Sequence, residues 1–256
     1  MTVATGRVAL VTGGARRIGA AIVRELARDG WTIAIHHRQS GADAAALVDE
    51  ITASGGQAGA FAADLMSEAE TSALVGRVGG ALGPVEALIN NASVFERDEA
   101  LTATADSWAQ HMQVNLRAPF SLTQTFARQL PDGACGCVVN LLDQRVGNLT
   151  PHFTSYTVSK AALWTLTQTL AMALAPRIRV NAVGPGPTLP SPRQSTEQFA
   201  RQWAHVPLAR PVAPEEVATA VRFLLDAPSV TGQMIAVDGG QHLGWASSQA
   251  QHACDE

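Results

Sequence analysis

Three side chains in the stretch VVNLLDQRVGNLTPHFTSYTVSK, residues 138–160, have types and spacing suited to acid–base chemistry. Asp143 ends an apolar run, Val138–Leu142, that reads as a buried strand. Tyr156 follows thirteen residues later, and Lys160 four after that. Residues four apart on a helix share a face, so a helix from about residue 154 puts the phenol and the amine side by side. A phenol beside a carboxyl group can hand a proton to a reacting atom, and an adjacent ammonium favours the charge left behind.

The rest of the chain must place these groups. Strand-like runs fall at Val8–Val11, Thr32–Ile35, Ala58–Phe61, Ala87–Ile89, Val138–Leu142, Arg179–Ala182 and Met234–Val237. Most are continuously apolar, as strands covered by helices on both faces are. Helical patterns lie between them, near 18–29, 41–54, 68–82, 106–130, 154–175 and 214–226. The last opens on Pro214-Glu215-Glu216, proline in the first turn and then acids at the positive helix end. Repeated βα units imply an α/β domain, doubly wound around a mostly parallel seven-stranded sheet. Residues 184–213 break the alternation with six prolines. They read either as a substrate lid or as a proline-stiffened surface loop. Residues 246–256 read as a frayed or partner-contacting tail.

In ALVTGGARRIGAAIVREL a strand meets a glycine turn and then a helix. Gly13, Gly14 and Gly19 let the backbone approach a ligand closely. The helix start offers unpaired N–H groups and a positive dipole end to a pyrophosphate. Placed in the first βα unit, this is a dinucleotide signature. The second strand ends in IAIHHRQS, where folds that prefer NAD carry an acid for the ribose 2′-OH. Here stand His37 and Arg38, with Ser40 just beyond, and Arg16 in the turn can approach from the other side. Arg38 can pair with a 2′-phosphate, so the set favours NADPH. Asp64-Leu65 follows the third strand. Its carboxylate can meet an adenine amino group, cap a helix, or do both.

Composition narrows the classes further. The 256 residues are 46% apolar and 16% charged, which suits one large globular domain. A formal net charge of −4 argues against a nucleic-acid surface. The cysteines, Cys135, Cys137 and Cys254, make no disulfide framework and fit a reduced, cytoplasmic setting. Cys135-Gly-Cys137 lacks a second ligand cluster, so no metal is expected. No stretch nears the ~20 apolar residues of a membrane span, and residues 1–7 lack the build of a signal peptide.

Taken in order, Thr12-Gly13-x-x-x-Arg17-Ile18-Gly19, Asp64-Leu65, Asn90-Asn91-Ala92-Ser93, Asn115, Tyr156-x-x-x-Lys160, Arg179-Val180-Asn181 and Pro185-Gly186 resemble the motifs of the short-chain dehydrogenase/reductases. The resemblance covers about residues 6–245. It implies a single-domain Rossmann fold, an NADP cofactor and a homotetramer. It implies that Tyr156 is the proton donor in the reducing direction. Lys160 would hold the nicotinamide ribose and ease proton release from the phenol. Asn115 would tie this lysine to a relay water. Asn91, Ala92, Ser93 and Leu141 would line the cofactor, and Pro185, Gly186 and Thr188 would meet the nicotinamide carboxamide edge.

Three departures refine the expectation. The family pattern has a serine where this chain has Asp143. A charged carboxylate repels a substrate carbonyl, so either Asp143 is protonated or the substrate offers N–H donors, as a pterin does. The middle glycine of the turn is Arg17, whose cation would lie by the pyrophosphate and reach a bound pterin. Phe95 follows Asn-Ala-Ser and could sandwich a flat heterocycle against nicotinamide. Arg17, Ser93, Phe95, Asp143, Tyr156 and Lys160 together resemble the pteridine reductases. The alternative is an NADPH-dependent carbonyl reductase acting on a 3-oxoacyl thioester or a small ketone.

Overall fold

The computed structural model describes residues 7–191 and 193–244. The tail at 246–256, Cys254 and residues 1–6 lie outside the described residues. Seven strands form one sheet: β1 (Val8–Val11), β2 (Thr32–His37), β3 (Ala58–Ala62), β4 (Val85–Asn90), β5 (Gly136–Leu141), β6 (Ile178–Pro185) and β7 (Met234–Val237). The order is β3-β2-β1-β4-β5-β6-β7, and every pairing is parallel. The sequence predicts a mostly parallel sheet; the structure makes it wholly so.

Alternation inside the apolar runs builds the two core layers. Ala9 and Val11 of β1 face a layer made by α1 (Arg17–Arg28), α2 (Gly41–Ala53) and α8 (Pro214–Asp226). Val8 and Leu10 face the opposite layer, made by α3 (Glu68–Leu82), α5 (Ala118–Gln129) and α6 (Thr154–Leu174). Both faces are therefore buried, which is why these strands read as unbroken hydrophobic runs.

The segment read as one helix over 106–130 is three pieces: α4 (Ala105–Met112), a π-helical turn at Gln113–Arg117, and α5. Pro119 at the start of α5 has no N–H to give the preceding turn. The π turn carries Asn115, which is fully buried. Within 184–213 the structure holds an element missing from the sequence reading, α7 (Thr196–Ala204). Ser195 and Gln198 form a reciprocal capping box at its start, a pattern visible as Ser-x-x-Gln. The same segment begins inside β6, because Pro185 still pairs with Val237.

Two motif residues prove to be structural. Arg179 donates to the carbonyls of Leu224 and Leu225, both at 2.7 Å, closing the end of α8. Asn181, fully buried, donates to Val230 O and accepts from Gln233 N, and so fixes the turn into β7.

Candidate active site

Strand order reverses between β1 and β4, and the crevice beyond their carboxyl ends is where open α/β sheets bind ligands. A cavity of about 530 Å³ lies there. It is lined by Gly13, Arg16, Arg17, Ile18 and Gly19 of the turn, with Arg38 and Ser40 after β2. Asp64 and Leu65 after β3 and Asn91, Ala92 and Ser93 after β4 complete it. Gly13 has φ +60°, a conformation that favours glycine. Asn91 clamps the turn, its Nδ2 donating to Thr12 O at 2.9 Å and Gly13 O at 3.0 Å.

The basic side chains divide. Arg38 is exposed at the rim and makes no hydrogen bond or ion pair among the described residues. Arg16 is not free to approach from the other side as the sequence suggests. Asp43 of α2 holds its guanidinium at 2.6 and 2.7 Å. His37 does not line the cavity; its neighbour His36 does. His36 Nδ1 accepts from Gly13 N at 3.0 Å, so the proton sits on Nε2, which donates to Ala63 O at 3.1 Å. The imidazole is thus a buried neutral brace between the glycine turn and β3. Burial pushes its pKa down to about 4.

A pH prediction follows. The unfolded histidine takes up a proton near pH 6.5 while the folded one stays neutral, so stability falls as pH drops from about 6.5 towards 4. The loss attributable to His36 is on the order of 3 kcal/mol across that window. Urea unfolding at pH 7 and pH 4.5 should show His36→Gln losing less stability on acidification than the parent protein. Equal losses would contradict the assignment.

Asp64 does not cap α3. Its Oδ1 accepts from Met66 N in a local turn, and Ser67 is the cap, accepting from Glu70 N. The Asp64 carboxylate stays on the cavity wall.

The second cavity, about 220 Å³, continues from the first and shares Arg17, Ile18, Asn91, Ser93, Phe95 and Tyr156 with it. The three side chains of residues 138–160 meet here. Tyr156 Oη donates to Asp143 Oδ2 at 3.0 Å. Asp143 also accepts from Arg145 N at 2.8 Å and from Arg145 Nη1 at 3.3 Å. It caps the short 3₁₀ turn Gln144–Val146 and also lines the cavity. Lys160 Nζ, buried at the cavity wall, donates to Leu141 O at 2.7 Å and lies 5.8 Å from the Tyr156 ring centroid. Burial lowers the lysine to about 8, against the pull of Asp143.

Asn115 lines neither cavity. Its side chain exchanges two hydrogen bonds with the Val94 backbone, accepts from Ser93 Oγ and donates to Ser159 Oγ. It therefore holds the loop segment that presents Phe95. Phe153 stacks on Phe95 at 4.5 Å with 8° between the rings, and Tyr156 meets Phe95 edge-on at 4.7 Å. One face of Phe95 is thus covered by Phe153, and the guanidinium carbons of Arg145 and Arg193 stand 5.5 and 5.6 Å from its ring centroid. Arg17, at φ +54°, donates from Nη2 to the carbonyls of Leu189 and Pro190. It joins the glycine turn to the proline-rich segment. Arg193 joins that segment to Glu96 and to Phe95 O, each at 2.6 Å. Pro185, Gly186 and Thr188 form the floor, and a Cβ at Gly186 would lie 2.6 Å from Asp238 Cα.

Comparison with known proteins agrees with this geometry. A family profile described as "Enoyl-(Acyl carrier protein) reductase" matches residues 13–242. The crystal structure of FolM Alternative dihydrofolate reductase 1 from Brucella canis, complexed with NADP, superposes with a TM-score of 0.89 at 46% identity. That match covers 95% of this chain and 97% of the other. The chain belongs to the short-chain dehydrogenase/reductase family. Curated relatives of this reductase include an uncharacterized oxidoreductase of Methylorubrum extorquens, 35% identical over 92% of this chain and 97% of the relative. A 3-oxoacyl-[acyl-carrier-protein] reductase of Synechocystis sp. is 33% identical over 94% and 98%.

Of the positions predicted for this short-chain reductase, the two cavities gather all but Gly14, His37 and Asn115; Gly14 packs against Val23 and Ile35 instead. The sequence reading missed His36, Arg145, Phe153 and Arg193. Only Arg145 carried a signal, as a cation two residues past Asp143. Among the described residues no group of His, Cys, Asp and Glu could hold a metal ion, and no helix is long and apolar enough to cross a membrane. Cys137 is buried, which raises its thiol to about 11 and leaves it unreactive.

Proposed function

We propose that this chain is an NADPH-dependent reductase of the C=N bond of a pterin, converting a dihydropterin to its tetrahydro form. The carrying observation is Asp143, a carboxylate on the cavity wall that accepts from the Tyr156 hydroxyl and is paired with Arg145. This wall favours a ligand that offers N–H groups over one that brings a carbonyl oxygen to the Asp143 carboxyl. Pterins present such N–H groups on a flat ring, and the aromatic side chain of Phe95 lines the same cavity. The FolM neighbour is named for dihydrofolate, which is itself a dihydropterin.

NADPH suits the first cavity, where glycines allow close backbone approach and Arg38 is available for a 2′-phosphate. Bound there it supplies the hydride. Tyr156 gives its proton to the ring nitrogen next to the carbon being reduced, and Asp143 holds the ring through its N–H edge. Lys160 stabilises the phenolate that results. Leu189, Ser191, Gln194 and Gln202, on the segment tied down by Arg17 and Arg193, line the substrate side. We also read the chain as a homotetramer. Trp108 on α4 and Val158 and Met172 on α6 are apolar and 44%, 40% and 76% exposed, and an assembly would cover them.

A second reading has specific support: several curated relatives are named 3-oxoacyl-[acyl-carrier-protein] reductases. NADPH oxidation measured with dihydrobiopterin, dihydrofolate and an acetoacetyl thioester separates the two. We expect turnover of a dihydropterin and a loss of about 100-fold in kcat/KM in Asp143→Ser, which cannot answer the substrate N–H groups with a charge. Turnover of the thioester alone would replace the pterin reading with the carbonyl one. Light scattering that shows a monomer at micromolar concentration would remove the tetramer.

A further inference from the structure

Behind the site lie three buried polar residues that the chemistry above does not use. Asp98, His111 and Ser155 are 3%, 0% and 0% exposed. Their types suggest a nucleophile, but the geometry does not. The single Ser155 proton is given to Asp98 Oδ2, and the hydroxyl has no access to either cavity.

The bond directions follow by elimination. Glu96 N points at His111 Nε2 at 3.1 Å, so that nitrogen accepts and Nδ1 carries the proton. His111 Nδ1 then donates to Ser155 Oγ at 2.6 Å. Ser155 N donates to Asp98 Oδ1 at 3.0 Å, and Ser107 Oγ donates to Oδ2 at 2.9 Å. Every donor in the chain from Glu96 runs one way and ends on the Asp98 carboxylate. Burial keeps His111 below its ordinary value. Burial pushes the Asp98 carboxyl up, yet the bonds from Ser155 and Ser107 leave it below the usual range.

The start of α6 depends on this carboxylate. Phe153 stands there at φ +58° and gives no side-chain cap. Thr154 N is answered by Asp98 O, and Ser155 N by the Asp98 side chain. An acid from elsewhere in the chain thus caps the helix. Ser155 directly precedes Tyr156, and Asp98 lies on the same segment as Phe95. The His111 ring meets Tyr156 edge-on at 5.9 Å.

We infer that Asp98 is the positioning residue for Tyr156. Through Ser155 and His111 it locks the first turn of α6 to the segment bearing Phe95, so the phenol and the aromatic wall keep one relative placement. This rests on the reading of Tyr156 as the proton donor. Asp98→Asn would point an NH₂ group at Ser155 Oγ, which then faces two donors and has no acceptor for its own proton. The donor chain breaks while the volume is kept.

Tyr156 is the only tyrosine in the chain, so it can be watched alone. The test uses Asp98→Asn, Ser155→Ala and, as a stability control, Thr167→Ala, which removes a buried hydrogen bond from Asn140 farther along α6. Each is labelled with ¹³Cζ-tyrosine and saturated with NADP⁺. The first two should shift or split the single tyrosine resonance and lower kcat about tenfold or more, with KM and NADPH affinity within about twofold. Thr167→Ala should keep the resonance and kcat while losing thermal stability. A resonance unchanged in both Asp98→Asn and Ser155→Ala would overturn the inference. If the parent protein reduces no pterin, the substrate reading fails, and the resonance alone decides for or against Asp98.

Discussion

Tyr156→Phe should fold, bind NADPH and reduce substrate about a thousandfold more slowly. The phenol proton is the only part removed. The ring keeps its edge contacts with Phe95 at 4.7 Å and with His111 at 5.9 Å. Asp143 loses the donor at 3.0 Å but retains Arg145 N and Nη1, so no buried carboxylate is stranded. The expected signature is a collapse of kcat with a near-normal melting temperature and an unchanged NADPH titration. Single-turnover kinetics at saturating NADPH would show it directly. Retention of more than about a tenth of the parent rate would mean another group donates the proton, with Asp143 as the first suspect.

Gly19→Ala should strike the other half of the reaction. A Cβ at this position would stand 2.2 Å from Gly13 O and 2.7 Å from Asn91 Nδ2. Neither obstacle is a flexible tip: one is backbone, and the other is the amide that clamps the turn through Thr12 O and Gly13 O. The methyl group must push the turn and α1 apart, deforming the surface that faces the cofactor. A distortion of about 2 kcal/mol corresponds to about a thirtyfold rise in the NADPH Kd. Fluorescence titration of NADPH measures it, and a Kd within about twofold of the parent would show that the turn relaxes without cost to binding. This variant lowers affinity and spares the phenol; Tyr156→Phe does the reverse. Comparing them separates holding the cofactor from using it.

The sequence was readable where one residue type serves one purpose. The central strands were visible because burial on both faces leaves continuous Val, Ile, Leu and Ala, while the edge strands β3 and β7, only partly buried, were visible as short apolar runs between helical patterns. The glycine turn and the Tyr156–Lys160 pair were visible because local spacing alone fixes them. Asp143 and Phe95 were found as departures from a pattern, and both reach the second cavity. Long-range pairings stayed hidden. Nothing in His36 says that it accepts from Gly13, twenty-three residues earlier. Nothing in Asp98 says that it caps a helix fifty-seven residues on. Arg16 looked available because its partner Asp43 sits on another helix, twenty-seven residues away. The helix break at Gln113–Arg117 escaped because periodicity in either flank continues smoothly across it, and α7 escaped because prolines surround a short capped turn.

Arg17 adopts a backbone conformation that glycine would take without strain, at a cost of about 1–2 kcal/mol for a side-chain-bearing residue. Its guanidinium uses that awkward position to hold two carbonyls 172 and 173 residues downstream. Selection for heat resistance alone would therefore favour Arg17→Gly, a change that relaxes the backbone and unties the segment over the substrate. The variant should melt higher and bind substrate more weakly. Backbone ease and substrate binding thus draw opposite residues at this one position.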